Sequence, residues 1–386
     1  MEGDIDGVLA RRVGRRDFLR YSAILGTAGV LAACKKAETV GGGASGSPRP
    51  PVSQEPGTLQ IFDWAGYEVK PLWRPYAAQF PGQTPHWTTY KDDQFGYSKI
   101  AANPDAADFD IVHPCHYFWS DYVKITKSDG SPVLQPWDTS LITNFTQMNP
   151  AFIPDGQFNG QQYFVPVDWG FAAPLYRSDK VHPTEDSWGL LWDDRYEGKI
   201  TWWDSFDMFI PAAYYKGIAD PWNMTDDELN TIKQFLISKK KLVKTFWSID
   251  PVTEAMANGD AWIAYAWPLH YVELKGKGLP AVYMNPKEGR TDWYCGFALE
   301  NGTKNYYHAH DYVNAWISAQ SGQWLVANYA YGSLNTTIDL SKVPKDLVKV
   351  FSLDDPTALA EPNSHPEQNI ARRSVYQAMW DEVKAA

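Results

Sequence analysis

The chain has 386 residues and a net charge of −11, and 44% of its residues are hydrophobic against 21% that are charged. This composition is typical of a soluble globular protein of two domains, and it excludes collagen-like, coiled-coil and disordered proteins and disfavours nucleic acid as a partner. The aromatic content is high, with 18 Trp, 22 Tyr and 17 Phe, which raises the question of which rings line a ligand cleft.

Residues 1–33 are predicted to be an export signal. Arg15 and Arg16 precede an uncharged apolar run at residues 23–33, which is too short to span a bilayer but suits the hydrophobic region of a signal peptide. A buried N-terminal helix is the alternative. The arginine pair followed by Phe18 resembles a twin-arginine signal, and the general secretory route is the other option.

The apolar run ends in Leu31-Ala32-Ala33-Cys34, which looks like a bacterial lipobox. Cleavage before Cys34 would leave its thiol at the new N-terminus for attachment of a diacylglycerol lipid. Residues 34–56 are rich in Gly, Ser and Pro, a composition that predicts a flexible tether between lipid and globule. We therefore expect a periplasmic or extracytoplasmic protein that is lipid-anchored to the membrane through Cys34.

From Gly57 onward, short apolar runs alternate with amphipathic segments, which predicts an α/β fold. Strands are expected at residues 58–64, 108–113, 200–203 and 261–267. Helices are expected at residues 225–241, 306–319 and 369–385, the first with Thr225 as its N-cap. No linker follows residue 57, so two lobes would have to be connected by a chain that crosses between them more than once.

Motifs of the common enzyme classes are missing from the sequence. It contains no P-loop, no His-Glu-x-x-His, no Cys-x-x-Cys and no Gly-x-Ser-x-Gly, so neither a cofactor nor a metal is predicted. Asp204 and Asp207 follow the expected strand at residues 200–203, at the end of a strand where α/β sheets bind ligands. They could act as the acid and base of a glycosidase, balance a cationic ligand or cap a helix.

Short motifs follow one another in a fixed order along the rest of the chain. They are Asp63-Trp64-Ala65-Gly66-Tyr67, Phe109-Asp110-Ile111-Val112-His113-Pro114, Leu134-Gln135-Pro136-Trp137-Asp138, Tyr163-Phe164-Val165-Pro166, Trp169-Gly170, Tyr196-Glu197-Gly198-Lys199, Asn258-Gly259-Asp260, Pro286-Lys287-Glu288-Gly289 and Tyr331-Gly332-Ser333-Leu334-Asn335. Each motif alone is weak, but in this order they resemble the spermidine/putrescine-type solute-binding proteins of bacterial ABC transporters.

The resemblance implies a bilobal periplasmic-binding-protein clamp of type II, with two α/β lobes and three hinge crossings. The crossings would fall near Gly170, Trp293 and Asn335. Lobe 1 would then comprise residues 57–169 and 293–337, and lobe 2 residues 170–292 and 338–386.

The resemblance also implies a ligand site. Its aromatic box falls on Trp64, Tyr67, Tyr117, Trp267, Trp293 and Tyr331, its acidic anchor on Asp204 and Asp207, and a polar contact on Gln368. Such a set of residues suits an extended amine, because electron-rich rings attract ammonium groups and carboxylates neutralise the charge of those groups.

Three positions of this site depart from the family pattern. Cys295 stands where a carboxylate is expected, Cys115 stands where Ser is common, and Asp207 is one methylene shorter than the usual Glu. A polyamine would therefore find fewer charge partners, which favours a smaller diamine or a mono-cation. In an oxidising compartment, Cys115 and Cys295 could form a disulfide in the cleft, or they could be two separate buried thiols.

The sequence thus predicts an exported lipoprotein, not an enzyme, that binds a small cationic amine such as putrescine or spermidine by hinge closure. Its expected partners are the solute, ABC permease subunits and the membrane through the lipid, and a monomer is expected. One alternative is a receptor for a sugar, an opine or another amine solute. Another is a secreted glycoside-acting enzyme using Asp204 and Asp207, and a third is a sensor subunit built on the same clamp.

Overall fold

The structure, a computed structural model, describes residues 49–106, 108–248, 252–355, 359 and 364–386. The predicted export signal, the lipidation site Cys34 and most of the predicted tether lie outside the described residues. Across the described ranges, no helix combines the length and apolar character needed to cross a membrane.

The fold alternates short strands with helices, as the sequence predicts. The strands are β1 (Gln60–Trp64), β2 (His86–Tyr90), β3 (Ile111–Val112), β4 (Leu134–Gln135), β5 (Gln157–Phe158), β6 (Gln161–Gln162), β7 (Phe164–Arg177), β8 (Ile200–Trp203), β9 (Val243–Trp247), β10 (Ile263–Ala266), β11 (Ala281–Tyr283), β12 (Arg290–Glu300), β13 (Gly332–Ser333) and β14 (Ser364–Pro366). The helices are α1 (Arg74–Gln79), α2 (Asp93–Ala102), α3 (Trp119–Tyr122), α4 (Phe209–Tyr215), α5 (Asp226–Lys239), α6 (Val252–Ala257), α7 (Pro268–Gly276), α8 (Tyr306–Trp316), α9 (Ala319–Tyr329), α10 (Lys345–Phe351) and α11 (Arg373–Ala385).

One sheet runs through the molecule in the order β2-β1-β3-β12-β7-β10-β8-β9. On one side, β1 is parallel to β2 and β3; on the other, β8 is parallel to β9 and β10. The long strands β7 and β12 pair antiparallel at the centre and join the two halves. Both are buried along their whole length, so the connection between the halves is part of the core.

The buried apolar side chains form two clusters. One takes its members from residues 59–171, 293–325, 331–334 and 359, and the other from residues 172–284, 326–330 and 343–383. The cluster changes between residues 171 and 172, between residues 284 and 293, and after Leu334, which is close to the predicted hinge crossings. In addition, residues 326–330 at the end of α9 belong to the second cluster. Trp64, Trp267 and Leu353 pack against both clusters, so the halves meet at these three side chains.

Local sequence signals explain several elements. Thr225 caps α5 in a reciprocal capping box with Glu228, and Leu229, Ile232 and Leu236 form the buried stripe. The predicted strand at residues 200–203 matches β8, whereas the one at residues 108–113 shortens to Ile111–Val112.

The predicted tether ends earlier than expected. The carboxylate of Glu55, which is buried, accepts hydrogen bonds from the backbone N–H groups of Tyr307 and His308 in the first turn of α8. A carboxylate is stabilised there because the first N–H groups of a helix lack intrahelical partners. Arg49 lies over the ring of Tyr306, so residues 49–56 contact the globular body, which the prediction began at residue 57.

Candidate functional site

A cavity of about 280 Å³ lies where the parallel strands of both halves end. In α/β sheets the carboxyl ends of parallel strands face the crevice that binds ligands. Four of these ends carry tryptophan, since β1, β8 and β9 end at Trp64, Trp203 and Trp247, and Trp267 follows β10. The cavity is lined by Trp64, Ala65, Gly66, Tyr67, Tyr90, Lys91, Cys115, Tyr117, Trp203, Trp247, Ser248, Thr253, Trp267, Leu269, His270, Glu273, Trp293, Cys295, Tyr331 and Glu367.

The indole rings of the cavity contact one another. The ring of Trp267 lies with its centroid 4.9 Å from that of Trp247 and 5.3 Å from that of Trp203, in both cases edge to face. Across the two halves, the centroids of Trp64 and Trp267 are 6.3 Å apart. Edge-to-face packing leaves ring faces available, and indole faces are the best aromatic partners for a cation.

The second group of rings comes from the central strand β12 and the segment before β13. The rings of Trp293 and Tyr331 are edge to face at 4.9 Å, and Tyr331 lies 6.3 Å from Tyr67. Gly170 on β7 lies under the Trp293 ring, and a Cβ at that position would come within 2.6 Å of it. A larger residue at 170 would therefore displace this wall of the cavity.

Cys115 and Cys295 are joined by a disulfide in the structure. Both half-cystines are buried and line the cavity. They also form an isolated antiparallel bridge between the segment after β3 and strand β12. The disulfide therefore fixes one wall of the cleft within one half of the molecule.

A buried polar cluster lies behind Tyr67. The Tyr67 hydroxyl donates to Asp168 Oδ2 at 2.5 Å, and the other oxygen of that carboxylate is 3.8 Å from His113 Nε2. His113 Nδ1 is 2.7 Å from Asp63 Oδ1. Burial would lower the pKa of His113, but the neighbouring Asp63 and Asp168 carboxylates raise it. Burial raises the pKa of Asp168 to about 6, against the opposing effects of His113 and Tyr67.

The backbone carbonyl of His113 holds two further cavity rings. It accepts hydrogen bonds from the indole N–H of Trp64 at 3.0 Å and from the hydroxyl of Tyr90. One buried residue thus positions Trp64 and Tyr90 through its backbone, and it contacts Asp63 and Asp168 through its side chain.

Glu367 brings a carboxyl group to the cavity wall. It follows β14, its side chain is buried, and its carboxyl group is hydrogen-bonded to Tyr117. Burial and the nearby Asp207 and Asp93 carboxyls raise its pKa well above the usual range. Burial also raises the pKa values of Asp93 and Asp207 to about 7, so these acids hold protons more readily than ordinary carboxyls. A cationic ligand beside Glu367 would favour its ionised form.

Asp204, predicted as an acidic anchor, does not line the cavity. Strand β8 ends with the Trp203 ring in the cavity wall, and the next side chain turns towards α11. There Asp204 Oδ1 is 2.8 Å from Lys384 Nζ and accepts from the Trp380 indole at 3.0 Å. Partial burial would raise the pKa of Asp204, but these two partners and Lys91 lower it.

Asp207 and Gln368 also lie outside the lining. Asp207 accepts a hydrogen bond from the hydroxyl of Ser205, which in turn caps the following turn. Gln368 is exposed, whereas the preceding Glu367 is buried and faces the cavity. The polar side chain in the cavity wall is therefore Glu367, one residue before the predicted contact, because the chain leaves β14 with Glu367 directed inward.

The remaining predicted residues come together. Eight of the eleven predicted site residues line the cavity: Trp64, Tyr67, Cys115, Tyr117, Trp267, Trp293, Cys295 and Tyr331. Sequence reasoning missed Trp203 and Trp247, although Trp203 ends the apolar segment that is expected to form a strand. Trp247 ends β9, whose Lys244 and Thr245 interrupt the apolar pattern. It also missed Asp168 and Glu367, for which the spacing of residues gives no signal. Within the described residues, no group of three or more His, Cys, Asp or Glu side chains is placed to hold a metal ion.

Comparison with known proteins provides a family match. A model of the family described as bacterial extracellular solute-binding protein matches residues 76–352. The spermidine/putrescine-binding periplasmic protein of Salmonella typhimurium is 27% identical over 284 residues, which cover 72% of this chain and 78% of that protein.

Solved structures resemble most of the chain. The spermidine/putrescine ABC transporter substrate-binding protein PotD of Streptococcus pneumoniae matches with a TM-score of 0.64 and 18% identity, over 85% of this chain and 97% of that one. MotA of A. tumefaciens, solved in complex with glucopine, matches with a TM-score of 0.66 and 14% identity, over 85% of this chain and 99% of that one. This likeness confirms the predicted fold class, a bilobal α/β periplasmic-binding-protein clamp.

Proposed function

Because this chain belongs to the family of bacterial extracellular solute-binding proteins, we propose that it captures a small cationic amine, similar to putrescine or spermidine, and delivers it to an ABC importer. As a member of that family the chain is a solute-binding protein and not an enzyme. The observation that carries the proposal is the cavity itself, which combines a ring wall with the carboxyl group of Glu367.

The chemistry of the wall favours a cation with an alkyl chain. Methylene groups pack on the faces of Trp203, Trp247 and Trp267 without loss of hydrogen bonds, and each good contact between an ammonium and a ring contributes roughly 0.5 to 2 kcal/mol. A carboxylate that accepts from the ammonium adds a charge-assisted hydrogen bond. The relative from Salmonella typhimurium, described as binding spermidine and putrescine, supports the same class of ligand.

Closure around the ligand would couple binding to transport. Trp64 ends strand β1 in one half of the molecule, and Trp267 follows strand β10 in the other half. A ligand between these two rings would therefore contact both halves. Such a ligand binds the closed arrangement more tightly than an open one and shifts the population towards it. The importer would then recognise the closed shape.

We also propose that the protein is located outside the cytoplasm. The curated relatives are described as periplasmic binding proteins, which supports an extracytoplasmic location. Attachment to the membrane through a lipid on Cys34 rests on the Leu-Ala-Ala-Cys sequence alone. Replacing Cys34 with Ser should release the exported protein into the soluble fraction, as fractionation of cells would show.

An opine receptor is the second candidate, and Lys91 is the observation that favours it. Lys91 lines the cavity, and its ammonium lies 3.8 Å from Asp92 Oδ2 and 3.9 Å from Asp204 Oδ2. A carboxylate on the ligand would compete with these two acids for the same cation. Opines carry both amine and carboxylate groups, and the glucopine complex shows that this fold accepts one in another protein.

The test is a binding measurement on the mature protein. Isothermal titration calorimetry with putrescine, spermidine, an opine and glucose should give saturable binding for an amine and none for glucose. A ligand at a hundred times its dissociation constant stabilises the folded state by about 2.7 kcal/mol, so the unfolding temperature should rise with the same ligands. Binding of glucose without any amine would contradict the proposal, and selective binding of the opine would favour the second candidate.

A further inference from the structure

The buried cluster behind Tyr67 carries more negative than positive groups. It contains the carboxylates of Asp63 and Asp168 and one imidazole, that of His113, and all three side chains are fully buried. With both carboxyls ionised and His113 protonated, the cluster carries one net negative charge. An unbalanced buried charge is costly unless something compensates it.

The hydrogen bonds of the cluster leave this charge incompletely satisfied. Oδ2 of Asp63, Oδ1 of Asp168 and Nε2 of His113 have no hydrogen-bond partner among the described residues. The strong contact of Asp168 is with the Tyr67 hydroxyl, and that residue lines the cavity. The Tyr67 phenol therefore connects the cluster to the ligand space.

The Tyr67 hydroxyl can link the cluster to a ligand by hydrogen bonds. Burial and the neighbouring Asp168 raise the pKa of Tyr67 well above its ordinary value, so its hydroxyl stays protonated and donates its hydrogen to Asp168. Its oxygen lone pairs are then free to accept from a ligand N–H, and donation to a carboxylate makes that oxygen a stronger acceptor.

Asp168 also has a distinctive place in the sheet. It pairs in register with Cys295 across β7 and β12, and Cys295 is the position at which the sequence comparison expected a carboxylate. An acidic group is thus present on the neighbouring strand, where it lies behind the Tyr67 ring.

We propose that the Asp63–His113–Asp168 cluster is a charge partner for a ligand ammonium, acting through the Tyr67 hydroxyl. This inference rests on the proposed function, since it assumes a cationic ligand. It makes Asp168 a positioning and specificity-determining residue that contributes in addition to Glu367. Amine recognition would then not require a carboxylate at position 295.

The test compares Asp168→Asn with Asp110→Asn in the mature protein, using putrescine as the probe. Asp110 is a matched control because it is buried in the same half, and it accepts from Gln60, Thr303 and Asn305, none of which lines the cavity. We expect Asp168→Asn to raise the dissociation constant on the order of tenfold or more, since a charge is lost near the ligand. Asp110→Asn should leave it unchanged.

Thermal unfolding of the free variants separates an electrostatic role from a structural one. Because burial disfavours the ionised form of Asp168, its replacement by Asn should not lower the unfolding temperature at pH 8. Weaker putrescine binding at undiminished stability supports the proposal, and unchanged binding overturns it.

If Asp168→Asn loses stability as well as binding, the variant Tyr67→Phe provides the test of the proposal. This variant keeps the ring and removes the hydroxyl, so it should bind putrescine more weakly, and an unchanged dissociation constant would overturn the proposal. Failure of the wild-type protein to bind any amine would instead contradict the proposed function, which distinguishes the two results.

Discussion

At the scale of single residues, the acids near the cleft have different roles. Glu367 lies in the cavity wall, whereas Asp204 is held by Lys384 and Trp380 on the side of α11. The sequence pointed to Asp204 and not to Glu367, because the direction in which each side chain leaves its strand decides which one meets a ligand. That direction depends on backbone geometry at the end of β8 and of β14, and residue spacing does not encode it.

Glu367→Gln and Asp204→Asn form an informative pair. Removing the carboxylate at 367 should weaken binding of an amine by about 2 kcal/mol or more, because it takes away one partner of a buried charged hydrogen bond. The change at 204 should leave affinity unaltered and cost at most about 1 kcal/mol of folding free energy, as is usual for partly exposed ion pairs.

Calorimetric titration and urea unfolding of the two variants would check this. Loss of amine binding in Asp204→Asn with normal binding in Glu367→Gln would reverse the assignment and restore the anchor expected from the family resemblance.

At the scale of elements, the cleft is shaped by where strands end and by one covalent cross-link. The disulfide closes a sequence separation of 180 residues between the segment after β3 and strand β12. A cross-link of this length removes many conformations from the unfolded chain and thereby stabilises the folded one.

The double variant Cys115→Ser with Cys295→Ser should lower the free energy of unfolding by about 2 to 5 kcal/mol. Wild-type protein treated with dithiothreitol should approach the same value. Denaturant unfolding of the three samples is the measurement, together with a count of free thiols in unreduced protein. Two free thiols before reduction, or equal stability of variant and wild type, would contradict the cross-link.

Elements with a strong local signal were predictable, and those defined by distant pairing were not. The capping box of α5 and the apolar run of β8 lie within a few residues, so the sequence specifies them directly. The two-residue strands β4 and β13 exist because they pair with β12 and β7, which no local pattern reveals. Asp168 belongs to the second kind, since only the register of β7 brings it next to Tyr67 and His113.

At the scale of the whole molecule, buried acids make stability depend on pH. Burial raises the pKa values of Asp93 and Asp207 to about 7, so near neutrality the folded state binds more protons than the unfolded state. Stability then decreases as pH rises through this range. Below about pH 6.5 the buried His116 and His270, whose pKa values burial lowers to about 4, act in the opposite direction.

We therefore expect the free energy of unfolding to fall between pH 6.5 and pH 8 by on the order of 1 kcal/mol. Urea unfolding at several pH values in this window would measure it. The variant Asp207→Asn should show a smaller decrease than the wild type. A stability that does not fall across the window would show that these carboxyls are already ionised in the folded state.

The tryptophans at the strand ends also give the protein an intrinsic fluorescence signal for ligand binding. Five indoles border the same small cavity, and the emission of an indole depends on the polarity and charge of its surroundings. A molecule that fills the cavity displaces water from several of them at once. Occupancy can thus be followed in unlabelled protein by intrinsic fluorescence, and candidate solutes can be screened before any of them has been assigned.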